Sequence, residues 1–206
     1  MARVLIAVPT FENIMPDTFK AIWDMDKGEH EVLFDFVRGY DCASARNNIV
    51  QLAKGYNADF LLMVDNDVTP PKDALLNLMS HNQDVVLGYY AHRNKSNDDT
   101  QKTCLCKLGE LNYTNQFTAD EIRQKESNGE YLFRVHGGGM GCALIKTSVF
   151  DRIAYPWFDW VNYRDTKHSL LSEDLYFCEL CKYANIKIYS DSRVGCGHMF
   201  RNIKQV

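Results

Sequence analysis

The sequence predicts an α/β fold: a mostly parallel central sheet flanked by helices, with a smaller mixed part towards the C-terminus. Three observations carry this. Apolar runs of strand length alternate with segments of helical spacing through the first ninety or so residues, and such alternation joins parallel strands through helical crossovers. The apolar runs are continuous, as in strands buried on both faces. A chain of 206 residues, 46% hydrophobic and 24% charged, supplies one ordinary core, so residues 1–206 read as a single domain.

The elements follow in order. Arg3 to Val8 is an apolar run closed by Pro9, a buried first strand. The apolar stretch before Pro9 is too short for a secretory signal. Pro16 to Met25 carries Phe19, Ile22 and Trp23 at helical spacing, with proline near the start. Glu31 to Val37 is strand-like and ends at Gly39. Ser44 to Lys54 is helical, with Ile49, Leu52 and Ala53 on one face and Gly55 as its stop. Asp59 to Val64 is a buried strand running into Asp65-Asn66-Asp67. Pro70 to Met79 is a helix and Asp84 to Leu87 a strand.

Beyond Tyr90 the pattern changes. His92 to Thr103 is polar and reads as a mobile loop. Thr118 and Glu121 form a capping box opening a short helix through Lys125. Glu130 to Val135 is a strand, followed by Gly137-Gly138-Gly139-Met140-Gly141 and a short strand from Cys142 to Ile145. Ser172 to Tyr183 is helical, and Ile186 to Tyr189 is the final strand before Gly195-Cys196-Gly197-His198.

Composition narrows the function classes. The net charge is −4 with no dense Lys/Arg stripe, which argues against binding nucleic acid through its phosphates. The longest apolar runs fall far short of the ~20 residues that span a bilayer, so the reading is soluble and without a transmembrane segment. The seven cysteines sit mostly in apolar segments. Neither Cys104/Cys106 nor Cys178/Cys181 has the tight turns of a zinc site, so they read as reduced core thiols of a cytoplasmic protein. A protein this acidic needs a cation to hold a diphosphate.

Four groups of residues can carry chemistry. Asp65 and Asp67 lie two residues apart in the turn after a buried strand, at the edge where open α/β sheets bind ligands. Their oxygens suit Mg²⁺ or Mn²⁺ shared with substrate phosphates; the plainer reading is a capped loop. Glu173 and Asp174 follow Ser172 at a helix start, where acids complement the helix dipole. Either can also serve as a general base, although neighbours on a helix point about 100° apart and only one faces a reacting centre. The glycines from Gly137 to Gly141 permit positive φ or close backbone approach to a ligand. No helix follows them directly, so they are not a dinucleotide fingerprint. His198 and Arg46 read alone as a hydrogen-bonded histidine and a surface cation.

Taken in order, these residues resemble the GT-A glycosyltransferases, within them the family 2-like group, and small viral and bacterial domains of that kind. The resemblance rests on Val8-Pro9-Thr10, Ser44-Ala45-Arg46-Asn47, Val64-Asp65-Asn66-Asp67, the run Gly137 to Leu144, Ser172-Glu173-Asp174 and His198. It implies a Rossmann-like GT-A domain with a nucleotide-binding part over about 1–90 and an acceptor and catalytic part over about 91–206. It further implies that Asp65, Asp67 and His198 hold Mn²⁺ or Mg²⁺. Pro9, Thr10, Arg38, Arg46 and Asn66 then line the nucleotide pocket. Asp174 is the base, with Glu173 the alternative, and Gly138, Gly139, Met140 and Gly141 lie beneath donor sugar and acceptor.

The activity this implies is transfer of a sugar from a nucleoside diphosphate sugar, UDP-hexose first and GDP-sugars second, to a hydroxyl with inversion. The acceptor is a glycan on lipid, protein or oligosaccharide, and any membrane contact runs through a partner. Two rivals stand beside it. A sugar-phosphate nucleotidyltransferase shares the sheet edge and metal, but wants a glycine- and basic-rich loop where Phe11-Glu12-Asn13 stands. A non-catalytic nucleotide- or sugar-binding module keeps the fold without the chemistry.

Overall fold

The computed structural model describes residues 1–39, 41–92, 101–109, 115–162 and 170–199. In chain order the elements are β1 (Arg3–Thr10), α1 (Pro16–Asp24), β2 (Glu31–Arg38), α2 (Cys42–Gly55), β3 (Phe60–Val64), β4 (Val68–Thr69), α3 (Ala74–Ser80) and β5 (Val85–Tyr89). They continue with β6 (Lys102–Cys106), β7 (Gln116–Thr118), α4 (Ala119–Ser127), β8 (Leu132–Val135), β9 (Gly137–Gly138), β10 (Cys142–Lys146) and a 3-10 turn over Thr147–Asp151. β11 (Val161–Asn162), β12 (Leu170–Leu171), α5 (Glu173–Tyr183), β13 (Ile188–Gly195) and β14 (Gly197–His198) complete them.

The predicted α/β class holds. A seven-stranded sheet in the order β2-β1-β3-β10-β5-β13-β8 forms the centre, flanked by helices. β2, β1, β3, β5 and β13 run in one direction; β10 and β8 run against them. The continuous apolar runs are the core: Val4 to Val8, Leu61 to Val64 and Val85 to Leu87 are all fully buried. Each such aliphatic side chain contributes about 1.5–3 kcal/mol by leaving water.

Several elements depart from expectation for local reasons. β1 continues through Pro9 to Thr10 rather than stopping before it. The β1–β3 ladder covers only Val4 to Ala7, so no partner on that side needs the N–H that proline lacks. α2 starts at Cys42 because Asp41 caps it, its carboxylate accepting the Ser44 N–H at 2.9 Å. α3 begins only at Ala74, because Val68–Thr69 pair with β14 and Pro70-Pro71 follow. On α1 Ile22 is buried, but Phe19 and Trp23 are exposed. Thr103 belongs to β6 and not to a loop; residues 93–100 of that expected loop lie outside the described residues, as does Tyr40.

The C-terminal half builds the site edge. β10 threads antiparallel between β3 and β5 and pairs Cys142 with Val64, which sets the glycine run beside Asp65. β13 reaches Gly195 where Tyr189 was the expected end. Its register shifts between Ser190 and Gly195, and the chain then crosses to pair Gly197 with Thr69 and His198 with Val68. All seven cysteines are free thiols. Among the described residues no helix is long and apolar enough to cross a membrane.

Candidate functional site

β1, β3, β5 and β13 all point their carboxyl ends at one edge of the sheet, and the predicted residues collect there in three groups. The first surrounds the loop after β1. Thr10 is buried and its hydroxyl donates to the Asn13 carbonyl at 2.7 Å. Asn66 donates to the same carbonyl at 3.0 Å, and Arg38 donates to the Glu12 carbonyl at 3.1 Å. The Met15 N–H donates to Asn66 at 3.0 Å. Four of the five residues expected to line a nucleotide pocket, namely Pro9, Thr10, Arg38 and Asn66, therefore shape or adjoin one loop.

Arg46, the fifth, lies elsewhere. Its side chain is 2% exposed and meets three carboxylates: Asp65 Oδ1 at 3.0 Å, Asp174 Oδ1 at 3.2 Å and Glu173 Oε1 at 3.5 Å. It is neither a surface cation nor a lining of the first group. Burial opposes its charge, but Asp174, Asp65 and Glu173 outweigh burial and hold the guanidinium protonated. Both Glu173 and Asp174 reach it, because the guanidinium lies across the first turn of α5; helical spacing alone did not foresee that. Ser172 occupies the N-cap position without a side-chain cap bond.

Asp174 is the perturbed acid of the cluster. Burial pushes its carboxyl up to about 7; Arg46 pulls it down, Glu173 and Asp65 push it up, and a hydrogen bond from the Met140 N–H pulls it down. A carboxyl near neutrality is what a general base at pH 7 requires. The Asp174 side chain is 18% exposed and that of Glu173 6%, so Asp174 is the more open to solvent.

The glycine run is shaped by close approach and not by turns. None of its glycines has positive φ. A Cβ on Gly139 would sit 2.2 Å from the Tyr90 hydroxyl, and one on Gly141 would sit 2.8 Å from that hydroxyl and 2.9 Å from Asp65 Oδ2. A Cβ on Gly138 would strike Leu105 at 2.9 Å. Tyr90 thus explains two of the glycines, and its oxygen accepts the Gly141 N–H at 3.2 Å. The Asp65 N–H donates to Gly141 at 3.0 Å. Sequence reasoning missed Tyr90, and nothing in the sequence around it marks it. Burial pushes its phenol well above the ordinary range.

The third group is Asp67 and His198. The β14–β4 pairing brings His198 Nε2 to 3.6 Å from Asp67 Oδ1, with the Met199 N–H on the Asp67 carbonyl at 2.8 Å. His198 Nδ1 lies 2.9 Å from the Ala91 carbonyl, which can only accept, so Nδ1 carries the proton of the neutral ring. The Tyr90 ring meets the imidazole edge to face at 5.1 Å. In the neutral ring Nε2 then turns a lone pair towards a carboxylate, with the Nδ1 side fixed as metal-bound histidines usually have it. An oxygen and an imidazole nitrogen suit Mn²⁺ or Mg²⁺ completed by phosphate oxygens. Asp65 does not close a triad with them. Its Oδ1 is engaged by Arg46, and among the described residues no group of three or more His, Cys, Asp or Glu forms a metal-binding set.

At the sequence level no family model and no curated protein matches. Solved structures do. The crystal structure of A197 from STIV superposes with a TM-score of 0.62 at 17% identity, covering 96% of this chain and 86% of that one. GalNAc-T7, solved with UDP, GalNAc and Mn²⁺, gives 0.64 at 12% identity, covering 98% of this chain and 44% of that one. At such identities the likeness is one of fold, and the fold is similar to the GT-A fold of glycosyltransferases.

Proposed function

We propose that the chain is a single-domain, metal-dependent glycosyltransferase that moves a hexose from a UDP-sugar to a hydroxyl acceptor with inversion. One observation carries the reading: beside the carboxyl ends of a GT-A-like sheet, Asp65, Glu173 and Asp174 gather on Arg46, and Asp67 pairs with His198. The GalNAc-T7 likeness, a structure holding UDP and Mn²⁺, supports the choice of donor and cation.

Asp67 and His198 are the residues suited to hold Mn²⁺ or Mg²⁺, with Asp65 behind them. The cation, when bound, supplies Lewis-acid stabilisation to the departing diphosphate. Thr10, Arg38 and Asn66 fix the loop that borders the nucleotide. Asp174, half ionised near pH 7, takes the acceptor hydroxyl's proton as that oxygen attacks the anomeric carbon from the face opposite the diphosphate. Glu173, more deeply buried, holds Arg46 in place. Gly139 and Gly141 keep the floor beneath the sugar low. The acceptor class is a glycan, lipid-linked or on protein.

General-base help is worth typically 10²–10⁴-fold. Asp174→Asn is therefore expected to lower sugar transfer from UDP-hexose by at least about a hundredfold while leaving UDP affinity within a few fold. An active Asp174→Asn enzyme would remove Asp174 from the reaction.

A further inference from the structure

We propose that Arg46 is a positioning residue: from beneath the site it clamps Asp65 to Asp174 and makes no contact with the donor. This rests on the glycosyltransferase reading of the same edge. Arg46 was expected in the nucleotide pocket, yet its side chain is 2% exposed and it forms ion pairs with three protein carboxylates. Nη2 donates to Asp65 just after β3, and Nε lies in ion-pair range of Asp174 (3.2 Å) and Glu173 (3.5 Å) at the start of α5 without a hydrogen bond to either. One planar fork thus joins the two elements that bring the acids of the site, residues 109 positions apart (174 − 65). Nε and Nη1 are both buried with no hydrogen-bond partner, so the guanidinium acts on α5 by charge, as a rigid plate between anions, and not as a fully bonded surface group.

The chemistry requires arginine. Asp65 and Asp174 are approached by different nitrogens of one rigid guanidinium, whereas a lysine ammonium is a single point charge that cannot span both. Without the fork the two carboxylates repel and turn to other partners. The acceptor's base and the DxD turn then lose their mutual placement, and small displacements of this kind cost rate far more than affinity. The effect therefore belongs in kcat, and nucleotide affinity is left nearly alone.

The test pairs a spectroscopic and a kinetic measurement. In wild-type protein without ligand, NMR of the Arg46 side chain is expected to show separate, slowly exchanging Nη–H signals, because the clamped group cannot rotate. Averaged, rapidly exchanging signals would overturn the clamp whether or not the protein is an enzyme. Arg46→Lys, checked for a cooperative melt, is expected to bind UDP with Mn²⁺ within about threefold of wild type. Its kcat for release of UDP from a UDP-hexose is expected to fall about a hundredfold at little-changed KM. A tenfold or greater loss of UDP affinity with kcat unchanged would make Arg46 a nucleotide ligand and sink the proposal. If wild type neither binds UDP nor releases it from any donor, the glycosyltransferase reading fails, and with it the assigned purpose of the clamp.

Discussion

Asp174 shows how a single residue acquires a role from its surroundings. Its carboxyl is held near 7 against about 3.9 in an unfolded chain, so the folded state binds the proton more tightly. The stability this contributes is fully present below about pH 4 and is lost as pH rises through about 7. Two results follow, one for the wild type and one for a variant. Wild-type turnover rises with pH through about 7 as the base ionises. Asp174→Asn, which keeps the neutral shape, gains thermal stability relative to wild type between pH 5 and pH 8; melting scans at both pH values check this, and an unchanged difference contradicts the assignment. Gly141 makes a second test. Gly141→Ala places a methyl against the Tyr90 hydroxyl and Asp65, which is expected to cost about 1–3 kcal/mol and to weaken UDP binding with Mn²⁺. Gly55→Ala meets nothing within 4 Å and is expected to match or slightly exceed wild type in a denaturant melt. The acids and glycines could be picked out as candidates because residue type and spacing announce them. Tyr90 was not, since nothing in its neighbourhood distinguishes it from an ordinary strand-end aromatic. The burial of Arg46 among carboxylates was not legible, because burial is a property of the fold and not of the helix that carries it.

At the scale of elements, strands built from continuous apolar runs could be read directly, whereas β13 could not be followed to its end. Its polar stretch Ser190-Asp191-Ser192-Arg193 looks like a turn, yet Ser190, Asp191 and Ser192 are fully buried. Burial raises the Asp191 carboxyl, but hydrogen bonds from Arg193 and His81 outweigh it and hold the group ionised. Ser190 donates to Leu87, and Ser192 to Glu130. Satisfied in this way, the segment remains in the sheet and carries the chain to His198. Asn47 does comparable work for α2. Its amide donates to Phe158 at 2.7 Å and Ala43 at 2.9 Å, and its oxygen accepts from the Trp157 N–H at 3.0 Å. Asn47→Ala leaves the Phe158 carbonyl and the Trp157 N–H buried and unpaired, and is expected to destabilise the fold by about 2–4 kcal/mol in a denaturant melt. A loss below about 0.5 kcal/mol would mean that water replaces the amide. The insertion of β10 between β3 and β5 lay beyond the sequence, because strand order is settled by which faces pack together.

For the whole molecule, the consequence is that the site exists only when the chain is folded throughout. The turn after β3 and the glycine run before β10 are brought together by the sheet order, the start of α5 through Arg46, and β14 by its pairing with β4. A ligand that bridges them stabilises the entire fold, by about 2.7 kcal/mol at a hundred times its dissociation constant. The measurement that bears most directly on the account is calorimetric titration of UDP into the protein with and without Mn²⁺, repeated on Asp67→Ala. Binding that needs the metal and is lost in the variant is expected. Binding that is indifferent to Mn²⁺ and unchanged in Asp67→Ala would contradict it.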